Sequence, residues 1–306
     1  MNKTAYDEFF RNYDYYWLKY TMERGMKEKA DKLLVGHSLP RFGVNDRDIP
    51  GLINLSFFSQ DYYYSYRIIE RALECIPSIK HVVLGTCYIS PFIDLSRAQD
   101  RDEMNRIISV YDRYFHDIHN MLPQKYSELK DEEQKRKADE VTGDISGKDL
   151  MSLYEARKDN YFCTERDRLS LCEDAWTETV SEEERESYVR ERLGYMNRLV
   201  RHKDSYEENG VTLEKTVKLC RSRDIRLYVV VFPANIYYRR YLDPEIKDSY
   251  YRQINGMADR DHMKSIDLYE SEEFNLLDDY ADTDHLNDAG AAKMTELLAR
   301  EIGSGN

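Results

Sequence analysis

Two short stretches hold the residue types most able to do chemistry: LLVGHSLPRFGVN at residues 33–45, and DTDHLNDAG at residues 282–290. A serine hydroxyl becomes a nucleophile when a base takes its proton, and the base needs an acceptor that fixes its tautomer. Ser38, His285 and Asp282 supply these three types. An aspartate three residues before a histidine on a tight turn can reach the imidazole N–H. Ser38 has a second reading: a serine with Pro40 in the following turn is an ordinary helix start, with the hydroxyl as N-cap. A helix start also offers free N–H groups to a developing oxyanion. The cap and the nucleophile differ in where one oxygen points. Asp278, Asp279, Asp282, Asp284 and His285 crowd together without a defined ligand spacing, so no metal and no cofactor is expected. The chain has no GxxxxGK phosphate loop.

The elements that must position these residues follow from hydropathy. Short apolar runs at 32–35, 52–56, 81–84, 225–232 and 265–269 read as strands. They are continuous rather than alternating, as in a buried, mostly parallel sheet. Helical periodicity marks 62–76, 248–258 and the stretch after DTDHLNDAG to about 302. Residues 3–30 read as a further helix packed on the core, with Gly25 as a possible break. Strands and helices alternate with a split in the middle. The expected fold is a three-layer α/β/α sandwich with a mostly parallel sheet and a large helical insertion. The core comprises 31–96 and 225–306, and residues 97–224 form the insertion, which could serve as lid, homo-oligomer surface or dock for a pathway partner. Within it, the polar stretch 125–149 reads as a mobile connection.

Composition narrows the function. The net charge is −13, which gives no general attraction to phosphate backbones or anionic lipid, so no nucleic-acid partner is expected. No run approaches the roughly 20 apolar residues of a membrane span. The N-terminus lacks the apolar region of a secretory signal. Five cysteines at 75, 87, 163, 172 and 220 have no CxxC spacing and suit a reducing, cytoplasmic setting. The 26 tyrosines read as half-buried packing residues rather than a sugar-binding surface.

In open parallel sheets, functional groups sit at the carboxyl ends of strands. GHS, SFFSQD and GTCY follow the first three strands, and Asp282 and His285 lie in a loop before the last helix. A serine after the first strand with a DxxH near the C-terminus is the order of SGNH-type esterases and acyltransferases, and the chain resembles that superfamily. The matching residues are Gly36-His37-Ser38, Gly43, Asn54-Leu55, Gly85, and Asp282 to Asn287 with Gly290. It is most similar to cytoplasmic SGNH-like proteins of bacterial surface-polysaccharide gene clusters, and more distantly to the D-alanyl lipoteichoic acid transfer protein.

The resemblance implies Ser38 as nucleophile, His285 as general base, Asp282 as its orienting acid, and the Ser38 N–H as one oxyanion donor. It implies a small-molecule or carbohydrate ester as substrate. The usual GDS is GHS here, and His37 is not expected to be the base, because neighbouring side chains on a strand end point apart. The family's oxyanion glycine falls near Ser59, where Ser59 N–H or the Gln60 side chain could donate. Its GxND motif reads Gly85-Thr86-Cys87-Tyr88, so the asparagine donor is absent and Asn235 is a candidate replacement. Cys87 itself reads as a small buried residue. Tyr237-Tyr238-Arg239-Arg240 is either a pocket wall or a packed and solvated helix face. The alternative function is a catalytically weak or inactive binding or assembly protein of the same fold.

Overall fold

A computed structural model describes residues 13–140, 175–257 and 262–303, with side chains omitted for 136–140. Five strands form one sheet, ordered β2-β1-β3-β4-β5: β1 Lys32–Gly36, β2 Leu52–Asn54, β3 His81–Thr86, β4 Arg226–Val231 and β5 Met263–Asp267. Every pairing is parallel, and Gly36 of β1 lies opposite Gly85 of β3. In this doubly wound order the chain reverses direction across the sheet between β1 and β3, which opens a crevice at their carboxyl ends.

Both faces of the sheet are covered. Along β4, Leu227, Val229 and Val231 enter one core, while Tyr228 and Val230 enter another. That period of two is the pleat. The first core packs α1 (Tyr13–Glu28) and α3 (Tyr62–Cys75), and α7 (Lys203–Ser222) adds Leu213 and Val217. The second receives α10 (Asp288–Gly303) through Met294, Leu297, Leu298 and Ile302. Short α2 (Ser38–Gly43) starts immediately after β1. The three-layer α/β/α expectation is met.

The β3–β4 connection contains α4 (Arg101–Arg106), a π-helical turn Ile107–Asp112, α5 (Pro123–Glu140), α6 (Glu182–Met196) and α7. The last of these packs on α3 and β4 and acts as the crossover helix of a βαβ unit. After β4 come α8 (Ile236–Tyr241) and α9 (Pro244–Asn255).

Two local expectations are corrected. The first helix does not break at Gly25 but runs on to Glu28. The glycine there makes room for neighbouring side chains: a Cβ would meet Ile76 Cδ1 at 2.7 Å and Ile53 Cδ1 at 2.8 Å, and both would have to shift. The polar stretch expected to be a mobile connection is helical to Glu140, and its remainder, 141–149, lies outside the described residues. Among the described tyrosines, Tyr13, Tyr64, Tyr111 and Tyr250 are almost wholly buried, deeper than the half-buried expectation, while Tyr188 is exposed.

Candidate active site

The geometry at Ser38 begins with two glycines. Gly36 has φ +150°, and a Cβ on it would lie 2.3 Å from the Gly85 carbonyl oxygen. A Cβ on Gly85 would lie 2.7 Å from Pro40 Cγ. Two glycines facing each other across β1 and β3 therefore let the chain turn sharply into α2, with Pro40 seated against the sheet. The cap of α2 is not Ser38 but His37, whose side chain accepts from the Leu39 N–H. The hydroxyl of Ser38 is left for another partner.

That partner is His285. Its Nε2 lies 2.9 Å from Ser38 Oγ, and its Nδ1 lies 2.8 Å from Asp282 Oδ2. Asp282 also accepts the backbone N–H groups of Asp284 and His285, at 2.9 and 2.8 Å. One carboxylate thus fixes both the ring and the turn that carries it. An Asn235 cap supports the turn from outside: its Nδ2 donates to the Thr283 carbonyl at 2.6 Å, while its Oδ1 accepts from Tyr237 and Tyr238 at the start of α8. Phe42 and Phe58 pack edge-on against the His285 ring.

Charge follows the same arrangement. Burial opposes a charged His285 imidazole, but Asp282 and then Asp284 outweigh it and raise the ring above its ordinary value. Burial also opposes ionisation of Asp282, yet His285 and the two backbone N–H groups hold its carboxyl well below the usual carboxylate range. Asp284 lies 3.7 Å from His285 Nδ1. It is held by Arg192 of α6, whose Nε and one terminal nitrogen donate to Asp284 Oδ2 at 2.9 and 2.6 Å. Thr283 Oγ1 donates to its other oxygen. Arg192 counteracts the pull of the two aspartates on the imidazole.

Ser38 opens into a cavity of about 540 Å³, bounded by His37, Ser59, Cys87, Tyr238, Arg192 and Asp284, together with turns 89–100 after β3 and the end of α6. Its wall mixes apolar groups such as Phe92, Leu95 and Met196 with charged ones such as Arg97, Asp100 and Glu103.

The remaining expected site residues are placed differently. Ser59 lines the cavity and has φ +51°, the left-handed conformation that glycine adopts freely. Its Oγ donates to Glu103 at 2.7 Å. Gln60 is buried away from the cavity, donating to Ser65 Oγ and accepting from the Tyr111 hydroxyl. Gly85 is a paired strand residue, and Asn235 is fully engaged as a cap and loop anchor. Gln60, Gly85 and Asn235 are not among the residues lining the cavity. Of the Tyr237–Arg240 run, Tyr238 reaches the cavity. Arg239 donates to backbone carbonyls of Ala234 and Ser271, and Arg240 faces Glu186 on the surface. His37 lines the same cavity as Ser38, because the turn after β1 breaks the strand alternation that would have separated them.

Two groups of the described residues carry metal-ligand types within 4.8 Å: Asp282–Asp284–His285 and Asp61–Asp94–His119. In the first, both ring nitrogens and the Asp284 carboxylate already have the partners named above. In the second, Asp61 accepts the Tyr64 and Leu95 N–H groups and Asp94 accepts from Ser96, tying α3 to the cavity wall.

Arg192 and Asp284 were not among the expected site residues. Asp284 lies within the motif. Arg192 sits in a charged amphipathic helix with no spacing that marks it.

No protein-family model matches the chain, and no curated protein matches it. Among solved structures, the chain is similar to a Bacteroides fragilis protein described as a "putative acylhydrolase", at 12% identity and a TM-score of 0.41, over 92% of this chain and 95% of that one.

Proposed function

We propose that this protein is a serine-dependent esterase or O-acyltransferase that acts on an acylated carbohydrate or related ester. The observation that carries this reading is the unbroken line of hydrogen bonds from Ser38 Oγ through the His285 ring to Asp282. With Nδ1 donating to Asp282, the neutral ring presents the lone pair of Nε2 to the Ser38 hydroxyl. Ser38 Oγ attacks the acyl carbonyl as His285 takes its proton. The N–H of Ser38, in the first turn where helix N–H groups lack intrahelical partners, and the N–H of Ser59 are the oxyanion donors. His285⁺, stabilised by Asp282, returns the proton to the leaving oxygen. Water or a sugar hydroxyl then resolves the acyl-enzyme by the reverse sequence. Apolar and polar stretches in one cavity wall suit an acyl group joined to a hydroxyl-rich body. A place in surface-polysaccharide metabolism, with the 97–224 block as a surface for a second copy or a pathway partner, belongs to the same proposal.

The second reading is a binding or assembly protein with little turnover. It is favoured by the placement of Gln60 and Asn235, the two amide side chains considered as oxyanion donors, away from the cavity. Loss of one such donor typically costs about 10²–10³ in rate. Release of acetate from O-acetylated sugars and short p-nitrophenyl esters separates the two. Turnover that disappears in Ser38→Ala supports the esterase. Saturable sugar-ester binding without acetate release supports the binding protein.

A further inference from the structure

Beside Ser38 lies a second pair that the proposed reaction does not use. The Gly36–Gly85 register sets the ends of β1 and β3 side by side, so that His37 and Cys87 both line the cavity that contains Ser38. The His37 side chain is buried, with 8% of the residue exposed. Its Nδ1 accepts the Leu39 N–H at 3.3 Å. That bond requires a lone pair on Nδ1, so the neutral ring carries its proton on Nε2. Nε2 is itself buried and has no hydrogen-bond partner in the protein. A proton donor is thus held at the cavity wall, unpaired within the protein.

On the other side, Cys87 Sγ lies 3.4 Å from Ser90 Oγ. Ser90 Oγ already accepts the Cys87 N–H at 3.0 Å, which leaves its own proton for the sulfur. Burial works against a thiolate at Cys87, but His37, Ser90 and the backbone at Ile89 outweigh it and lower the thiol below its ordinary value. Cys220 shows the contrast: it is buried without such donors and pushed up to about 12. Low-pKa cysteines at accessible, donor-rich positions are the reactive ones.

We propose that Cys87, contacted by the Ser90 hydroxyl and sharing its cavity with the unpaired His37 Nε2–H, is a reactive thiol and a modification site for hydroperoxides. In the step, the Cys87 sulfur attacks the distal oxygen of the hydroperoxide. The S–O bond forms as the O–O bond breaks. Sulfur is oxidised by two electrons, the peroxide is reduced, and the alkoxide or hydroxide leaves with the proton given up by the thiol. The product is Cys87 sulfenic acid. The modification site rests on the shared cavity, the Ser90 contact and the buried, unpaired His37 Nε2. Its consequence, that an oxidised Cys87 obstructs acyl transfer at Ser38, rests on the function proposed above.

The test uses the full-length chain, iodoacetamide at pH 7 as the probe and peptide mass spectrometry as the readout. Cys87 is expected to alkylate about tenfold or more faster than Cys75 and Cys220. His37→Asn keeps a cap acceptor for α2 but removes the Nε2–H, and Ser90→Ala removes the other donor. Each is expected to slow Cys87 several-fold while the Cys75 rate holds. Brief exposure to hydrogen peroxide followed by dimedone should add the dimedone mass at Cys87. Ser38→Ala is expected to label as fast as the wild type, so failure of the esterase reading leaves this result standing. The proposal is overturned if wild-type Cys87 reacts no faster than Cys75, or if its rate is unchanged in Ser90→Ala and in folded His37→Asn.

Discussion

Ser38 Oγ and His285 Nε2 are 2.9 Å apart across 247 positions of sequence. The contact exists because two other residues release the participants. His37 takes the cap of α2 in place of Ser38, and Asp282 occupies the far side of the imidazole. Replacing Ser38 with alanine removes the proposed nucleophile but no packing group of consequence. Ester turnover should fall at least about 10³-fold, while the melting temperature measured by calorimetry stays within about 2 °C.

Asp282→Asn tests the orienting role. An asparagine amide can donate to Nδ1, which would leave the proton on Nε2 and turn the wrong tautomer toward Ser38. A loss of about 10⁴ in kcat is expected from the same change in other triads. Single-turnover kinetics check it. A loss below tenfold would show that Asp284, 3.7 Å from the ring, can substitute.

The raised pKa of His285 sets the pH dependence. The proposed base acts when neutral, so kcat/KM should fall as pH drops through a value above the ordinary 6.5 or so. Stability runs the other way. A group whose folded pKa is raised stabilises the fold fully below its unfolded value, and that contribution is lost as pH rises through the folded one. Asp282, held low, contributes above about pH 4, and its contribution is lost as pH falls through its depressed folded value. A pH series of activity and of urea unfolding measures both.

Arg192→Met leaves Asp284 as an uncompensated carboxylate near the imidazole. The acid limb of the activity profile should move to higher pH, because one positive charge that lowers the His285 pKa is gone and Asp284 is unopposed. Arg192 is partly exposed, so the stability cost should be modest, about 1–2 kcal/mol. A merely structural role would change stability without moving the limb.

Gly36→Ala tests the turn. Its Cβ would overlap the Gly85 carbonyl at 2.3 Å, at a φ of +150°. Destabilisation of more than about 2 kcal/mol is expected by chemical denaturation.

The sheet was legible in the sequence because buried parallel strands are short, unbroken apolar runs, and LLVG and IRLYVVVF are clear examples. The Ser38, Asp282 and His285 set was legible because Asp282 and His285 share one turn and Ser38 ends a strand. What escaped the sequence depends on packing across long separations. Gly25 looks like a breaker but is a clearance for Ile53 and Ile76. Gln60 has the right chemistry next to Ser59, yet the left-handed turn at Ser59 sends it into the core. Asn235 reads equally as a donor or a cap, and the start of α8 claims it. Arg192 meets Asp284 across 92 positions, and no local pattern announces such a pair.

The most direct measurement is reaction with a fluorophosphonate probe, followed by intact mass and peptide mapping. The account predicts one phosphonyl adduct per chain, located on Ser38, absent from Ser38→Ala and sharply slowed in Asp282→Asn. No adduct on the folded wild-type protein, or an adduct that persists in Ser38→Ala, would contradict it.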